Sequence, residues 1–175
     1  KTERIHEIAG FPAGEVYSPE KLEQVEQRLR RTGTFRSVST KEAENVGEGD
    51  TLDVDLSVVE SKRRRISTGI EFSSTEGLTL SAFWLHRNLL RGAERFQIDA
   101  EVSGITGSEE GMDYFLGSRF TRPATFSPDM DLFLLAEIEH LDAPEFQSDR
   151  AAIGGGLLRY IGDEAELRAG VEWRY

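Results

Sequence analysis

The sequence predicts two units of different architecture: an α+β unit over residues 1–61, then an antiparallel all-β meander over residues 62–175. Three observations carry this prediction. Apolar residues at three-and-four spacing are confined to the start of the chain, as in Leu22, Val25 and Leu29. From Arg65 onward the apolar residues fall at every second position, as in Ile66, Ile70 and Phe72. Several alternating segments also reach the roughly 9–11 residues that a tilted barrel wall needs, against a mean of about 5–6 for strands of soluble sheets.

In the first unit, Thr2 is the expected cap of a short helix whose apolar members Ile5, Ile8 and Ala9 share one face and which ends at Gly10 and Pro12. A second helix is marked by Ser18 as N-cap and Pro19 in its first turn. Glu20 and Glu23 lie near its positive dipole end, and Arg28, Arg30 and Arg31 near its negative end. Gly33 supplies the left-handed residue that closes it. A strand over 35–43 follows, opened by Phe35 and Val38, then a turn over 45–50 with two glycines. Leu52, Val54, Leu56 and Val58 alternate with Asp53, Asp55 and Ser57 in a second strand with one buried and one wet face. Two helices over two strands make a thin layer with little core of its own.

In the second unit, Ile66, Thr68, Ile70 and Phe72 share a face, and Leu78, Leu80, Ala82 and Trp84 repeat the pattern after a turn over 74–77. Phe96, Ile98, Ala100 and Val102 alternate with Arg95, Gln97, Asp99 and Glu101. The last segment sets Leu167, Val171, Trp173 and Tyr175 against Glu166, Arg168, Glu172 and Arg174. Three further strands are expected near 112–121, 131–141 and 149–161, making seven, with longer acidic loops over 107–111 and 142–148 and a tight hairpin over 161–163. Arg95, Asp99, Glu101, Arg168 and Glu172 suit a wet lumen, and Trp84, Trp173 and Tyr175 suit interfacial girdles. A soluble sandwich or a lipocalin-like barrel alternates in the same way, so periodicity alone leaves the membrane and soluble walls both open.

Composition removes several function classes. Lys+Arg is 21 against Asp+Glu 32, a net charge of −11, so no large basic face is available for nucleic acid. Without cysteine there is no disulfide framework, thiolate nucleophile or cysteine-ligated metal. No apolar run approaches the roughly 18 residues of a membrane helix, whereas barrel strands pass unnoticed at a mean hydropathy of −0.44. His6, His86 and His140 are dispersed, so no metal site is expected; Gly154-Gly155-Gly156 is not followed by a helical pattern, so no phosphate cradle and no cofactor is expected either. Asp99 and Glu101 are neighbours on one strand face, which any sheet provides, and no nucleophile elbow occurs. Lys62, Arg63, Arg64 and Arg65 form a dense basic run at the junction of the units, fit for headgroup contact or, by preference, for ion pairs with carboxylates of the first unit.

The order of segments is more specific than any one motif. Gly14-Glu15-Val16-Tyr17-Ser18-Pro19-Glu20, Leu22, Leu29, Gly33-Thr34-Phe35, Val38 and the strand ending at Glu60 resemble the last polypeptide-transport-associated (POTRA) domain of the outer-membrane assembly and translocation superfamily. Arg63-Arg64-Arg65-Ile66, Gly69-Ile70, Ser73-Ser74-Thr75-Glu76-Gly77, Trp84 and Arg87-Asn88-Leu89 before Gly92 resemble the opening strands of its surface-antigen β-barrel. The likeness is greatest to the translocation and assembly module (TamA-like) branch, strong over about 14–104 and weaker beyond, where Phe120-Thr121-Arg122-Pro123 and strand rhythm support it. Two departures are expected: the first POTRA strand would precede Lys1, and seven strands make only part of a barrel of about sixteen.

The resemblance implies a non-enzymatic outer-membrane factor, with its POTRA part in the periplasm, that handles unfolded outer-membrane or secreted clients and has a periplasm-spanning partner. Backbone groups of Phe35, Arg36, Ser37, Val38, Ser39 and Thr40 would form a sheet edge for a client strand. Ile66, Thr68, Ile70 and Phe72 would form the strand at the barrel seam. Outer-membrane lipid would cover the apolar face, and the isolated segment is expected to self-associate. A two-partner secretion exporter shares both units. A soluble periplasmic β-rich binding protein or hydrolase is the alternative of another class.

Overall fold

In the computed structural model, residues 2–74, 77–105, 111–143, 145–162 and 165–175 are described. The expected turns over 74–77, 107–111, 142–148 and 161–163 lie in part outside them. The first unit contains α1 (Thr2–Ala9), α2 (Pro19–Arg31), β1 (Phe35–Glu42) and β2 (Val54–Glu60), the strands paired antiparallel. Thr2 is itself helical, which takes it out of the capping role, because a cap residue has non-helical backbone. At α2 the expected chemistry is in place: the Ser18 hydroxyl accepts from the Lys21 N–H, Pro19 opens the helix, and Gly33 stands at φ +66° beyond the Thr32 cap. Ile8, Ala9, Val25, Leu29, Phe35 and Val38 form the core. A seventh buried member, Ala93, comes from a turn of the second unit.

The second unit is one sheet of seven strands in sequence order, β3 (Arg64–Ser73), β4 (Gly77–Arg87), β5 (Arg95–Ser103), β6 (Asp113–Arg122), β7 (Met130–Ala143), β8 (Phe146–Ile161) and β9 (Ala165–Arg174). Every pairing is between chain neighbours and antiparallel. β7 and β8 run beyond the expected ends, their ladder continuing through Asp142 opposite Gln147 to Ala143 opposite Phe146. Apolar alternation stops there, but backbone pairing does not require it.

Register sorts the side chains onto two faces. Ile66, Trp84, Ile98, Ser118, Ala136, Ile153 and Trp173 lie on one. Asp99, Gly117, Glu137, Ala152 and Arg174 lie on the other. The turns after β4, β6 and β8 all fall at the end nearest the first unit, here called the near end.

Candidate functional site

The apolar face of the sheet is uncovered. Ile70 is 77% exposed, Leu167 59% and Val171 81%, and among the described residues no second layer lies over them. Aromatic side chains mark both ends of this face. Near the first unit, Trp84 meets Phe96 edge-on at 6.0 Å and His86 at 5.9 Å. At the far end, Tyr114 lies 5.9 Å from the His140 ring, and Trp173 stacks on Tyr175 at 6.4 Å. Two aromatic bands bounding an apolar zone is the distribution expected of a wall between two water interfaces.

The opposite face is ionic but not uniformly so. Arg150 pairs with Glu139 at 2.9 Å, Arg174 pairs with Glu172, and Gln97 donates to Asp99 at 2.8 Å. Leu85, Phe133 and Leu135 are buried on the same face, a feature that alternation did not foretell. Phe133 lies against Gly156 and Gly170, where a Cβ would meet its ring at 2.8 and 3.1 Å, and Arg168 covers it at 4.2 Å. The strand glycines therefore make a floor for an aromatic ring.

The six residues of the expected client edge all lie on β1 or its bulge, between Phe35 and Ser37. Phe35 and Val38 point into the core, so only backbone is on offer at those positions. The Ala43 N–H donates to Asp53 O, and the register then directs the N–H and C=O of Val38 and Thr40 away from β2. Two of those four groups, Val38 C=O and Thr40 N–H, are occupied by side chains of α2. Arg30 Nη2 donates to Val38 O at 2.8 Å, while Glu26 Oε1 accepts from the Thr40 N–H at 2.7 Å and from its hydroxyl at 2.8 Å. Arg30 and Glu26 pair with each other at 2.5 Å, one helical turn apart. Burial pushes the Glu26 carboxyl up, but the two Thr40 bonds and the Arg30 charge more than reverse this and leave it below the usual range. The clamp was not foretold, and its signal is the i,i+4 charge pair on the helix that packs on the strand.

Ile66, Thr68, Ile70 and Phe72 lie together on β3, which has β4 as its one sheet neighbour among the described residues. The basic run is split by the strand it begins: Arg64 faces His86 on the apolar side, and Arg65 faces Leu85 on the other, 5.8 Å from the Phe83 ring. The preferred ion-pair role is not found. Among the described residues none of Lys62, Arg63, Arg64 and Arg65 forms an ion pair, and β3 sends Arg64 and Arg65 to opposite faces of the sheet.

The ion pairs joining the units come from α2 instead. Arg28 grips Asp129 in the β6–β7 turn with two bonds, at 2.6 and 2.9 Å, and Arg31 adds a third at 3.0 Å. These bonds, led by Arg28, hold the Asp129 carboxyl below the usual range against partial burial. Arg31 also lies 3.6 Å over the Tyr160 ring, whose hydroxyl donates to Asp131 at 3.3 Å. Arg4 of α1 donates to Pro123 O at 2.5 Å in the same turn and to Gly92 O at 3.4 Å in the β4–β5 turn. The second turn is shaped to reach the core: Asn88, Arg91 and Ala93 all have positive φ, the Asn88 side chain accepts from the Ala93 N–H, and the buried Glu94 accepts from the Leu90 and Gly92 N–H groups. No cluster of three or more potential metal ligands occurs among the described residues, and the three histidines lie apart on α1, β4 and β7.

A two-helix, two-strand layer docked on the near end of a meander with one apolar and one ionic face has the fold expected of a POTRA unit followed by part of a β-barrel wall. Residues 1–61 match the POTRA family model, described as a surface antigen variable number repeat. Over 99% of its length the chain is similar in fold to the crystal structure of BamA from Haemophilus ducreyi lacking POTRA domains 1–3, with a TM-score of 0.67 and 18% identity. It spans 32% of that chain. No curated protein matches by sequence.

Proposed function

We propose that this chain is part of a non-enzymatic outer-membrane assembly or translocation factor. Its domains are a POTRA unit over 1–61 in the periplasm and a barrel wall over 62–175 in the lipid bilayer. The observation that carries the reading is the uncovered apolar face between two aromatic bands, on a sheet docked to a POTRA-matched layer. In this reading outer-membrane lipid covers Ile70 and Val171, the near end is periplasmic, and Lys62 to Arg65 lie at headgroup level.

The clients are unfolded outer-membrane or secreted proteins. An extended client segment pairs with β1 after displacing Arg30 from Val38 O and Glu26 from the Thr40 N–H, exchanging side-chain bonds for a strand ladder. Strand β3, with Ile66, Thr68, Ile70 and Phe72, serves as the seam that templates an incoming strand. The driving free energy comes from client folding and apolar burial in the bilayer. The TamA-like placement rests on the residue pattern from Gly14 to about Gly104, and a periplasm-spanning partner goes with it.

Site-specific photocrosslinking in the full-length protein tests this. A photoreactive residue at Ser39, on the β1 edge, and one at Thr68, on the seam, should both trap an unfolded outer-membrane client during its assembly. Client trapping at Asp99 and Glu172 with none at Thr68 would instead make the protein an exporter that passes its substrate through the lumen. No client product at any of these positions defeats the proposal.

A further inference from the structure

Where the units meet, a cavity of about 60 Å³ opens between α1, the start of β1, the end of β2 and the β4–β5 turn. Its polar lining is Arg4, Arg63 and Arg91, with Glu60, Asn88 and Thr34. Three guanidiniums against one carboxylate reverse the sign of a chain whose net charge is −11. The apolar core residue Ile8 and the inserted Ala93 close its inner side, which lowers the local dielectric and strengthens the field of the arginines.

The three arginines are not equally engaged. Arg4 is spoken for by Pro123 O, Gly92 O and Glu7, and contributes fixed charge. Arg63 and Arg91 form no ion pair and no side-chain hydrogen bond among the described residues. An independent sign of a missing ligand comes from Thr34. It is 3% exposed, and its Oγ1 is buried without a hydrogen-bond partner. Its N–H donates to the Thr32 hydroxyl and its C=O accepts from the Ser61 N–H, so the hydroxyl alone is left over. A buried hydroxyl in that condition is costly, and native structures rarely leave one without a ligand or water.

We propose that this cavity binds a phosphate group, with the Arg63 and Arg91 guanidiniums on its oxygens and the Thr34 hydroxyl donating to it. Guanidinium forks match phosphate geometry. The space is several times the roughly 10–15 Å³ that one water requires, enough for a tetrahedral anion. A carboxylate is planar with both oxygens on one edge, so it would meet the two free arginines and the hydroxyl together less completely than a tetrahedral group whose oxygens point in several directions. The phosphate comes from a lipid headgroup or from free phosphate. The lipid source rests on the membrane reading above, whereas the cavity and its charge do not.

Calorimetric titration of the full-length protein in uncharged, phosphate-free detergent separates these sources. One arm uses inorganic phosphate and the other dihexanoyl phosphatidylglycerol below its micellar concentration. At least one should bind saturably. Arg63→Ala with Arg91→Ala should weaken that binding by about a hundredfold, and Thr34→Val by about tenfold. Glu60→Gln should tighten it severalfold, a direction that misfolding cannot imitate. Binding of the lipid alone assigns a headgroup site; equal binding of inorganic phosphate assigns a free-phosphate site, and the latter survives even if the sheet does not enter a bilayer. Absence of saturable binding in both arms, or binding indifferent to Thr34→Val and Glu60→Gln, overturns the proposal.

Discussion

Val25 and Leu29 in the α/β unit are wholly buried, while Val171 and Ile70 in the seven-stranded sheet, chemically equivalent residues, are 81% and 77% exposed. The first pair packs against another element of the same chain. The second pair has alternation and strand pairing to fix its direction and nothing among the described residues to cover it. In a water-soluble molecule an apolar face this continuous would be an aggregation surface, and in a bilayer it is the ordinary outside of a barrel wall. The comparison teaches that hydrophobic period reports which residues share a face, while the medium on that face must be read from exposure, aromatic banding and fold.

The largest expected effect breaks the sealed side. Leu29→Ala should destabilise the α/β unit by about 2–5 kcal/mol, seen as accelerated amide exchange along α2, while Val171→Ala in detergent should stay within about 0.5 kcal/mol. Next comes the open side. Val171→Arg should cost about 2–4 kcal/mol in bilayer-embedded protein at midplane depth, and Glu172→Gln on the adjacent, opposite-facing position far less. Urea unfolding of reconstituted protein measures both, and equal costs would erase the distinction between the faces.

A smaller effect sharpens the joint between the regions. Asp129→Asn removes the charge gripped by Arg28 and Arg31 and should weaken docking of the first unit by about 1 kcal/mol, the partial exposure of the pair limiting the gain. Because the folded-state pKa of Asp129 is depressed, its contribution is fully present above the ordinary aspartate range and lost as pH falls through and below it. Crosslinking between the units should therefore fall in acid in the native protein and show a weaker pH dependence in Asp129→Asn. The smallest effect concerns the edge clamp. Glu26→Gln should raise affinity of β1 for an extended peptide severalfold, measured by fluorescence anisotropy, and unchanged affinity would show that the clamp does not compete.

Much of this was legible in the sequence, for local reasons. Ser18, Pro19 and Gly33 act within one turn of the residues they cap, and the strand faces follow from parity along a single segment. What was hidden lies in long-range contacts between residues with no distinguishing type. Arg28 and Asp129 are 101 residues apart, and neither stands out in a charged sequence. Ala93 looks like an ordinary turn alanine until the positive φ values around it push it into the core of the other unit. The clamp on β1 was within reach, since Glu26 and Arg30 are spaced for one helix face, but which strand atoms they meet depends on how α2 crosses the sheet. The basic run at 62–65 stands out in the sequence, but density of charge names no partner, and among the described residues it forms no ion pair.

The central claim is that one face of the sheet meets hydrocarbon and the other meets water. Spin labels placed singly at Ile70, Val171, Asp99 and Glu172 of the reconstituted full-length protein report this directly, through collision with oxygen dissolved in lipid and with a nickel chelate confined to water. Labels at Ile70 and Val171 should favour oxygen, and labels at Asp99 and Glu172 the chelate. If all four favour the chelate, or if Ile70 and Val171 are shielded from both reagents, the sheet is not a membrane wall.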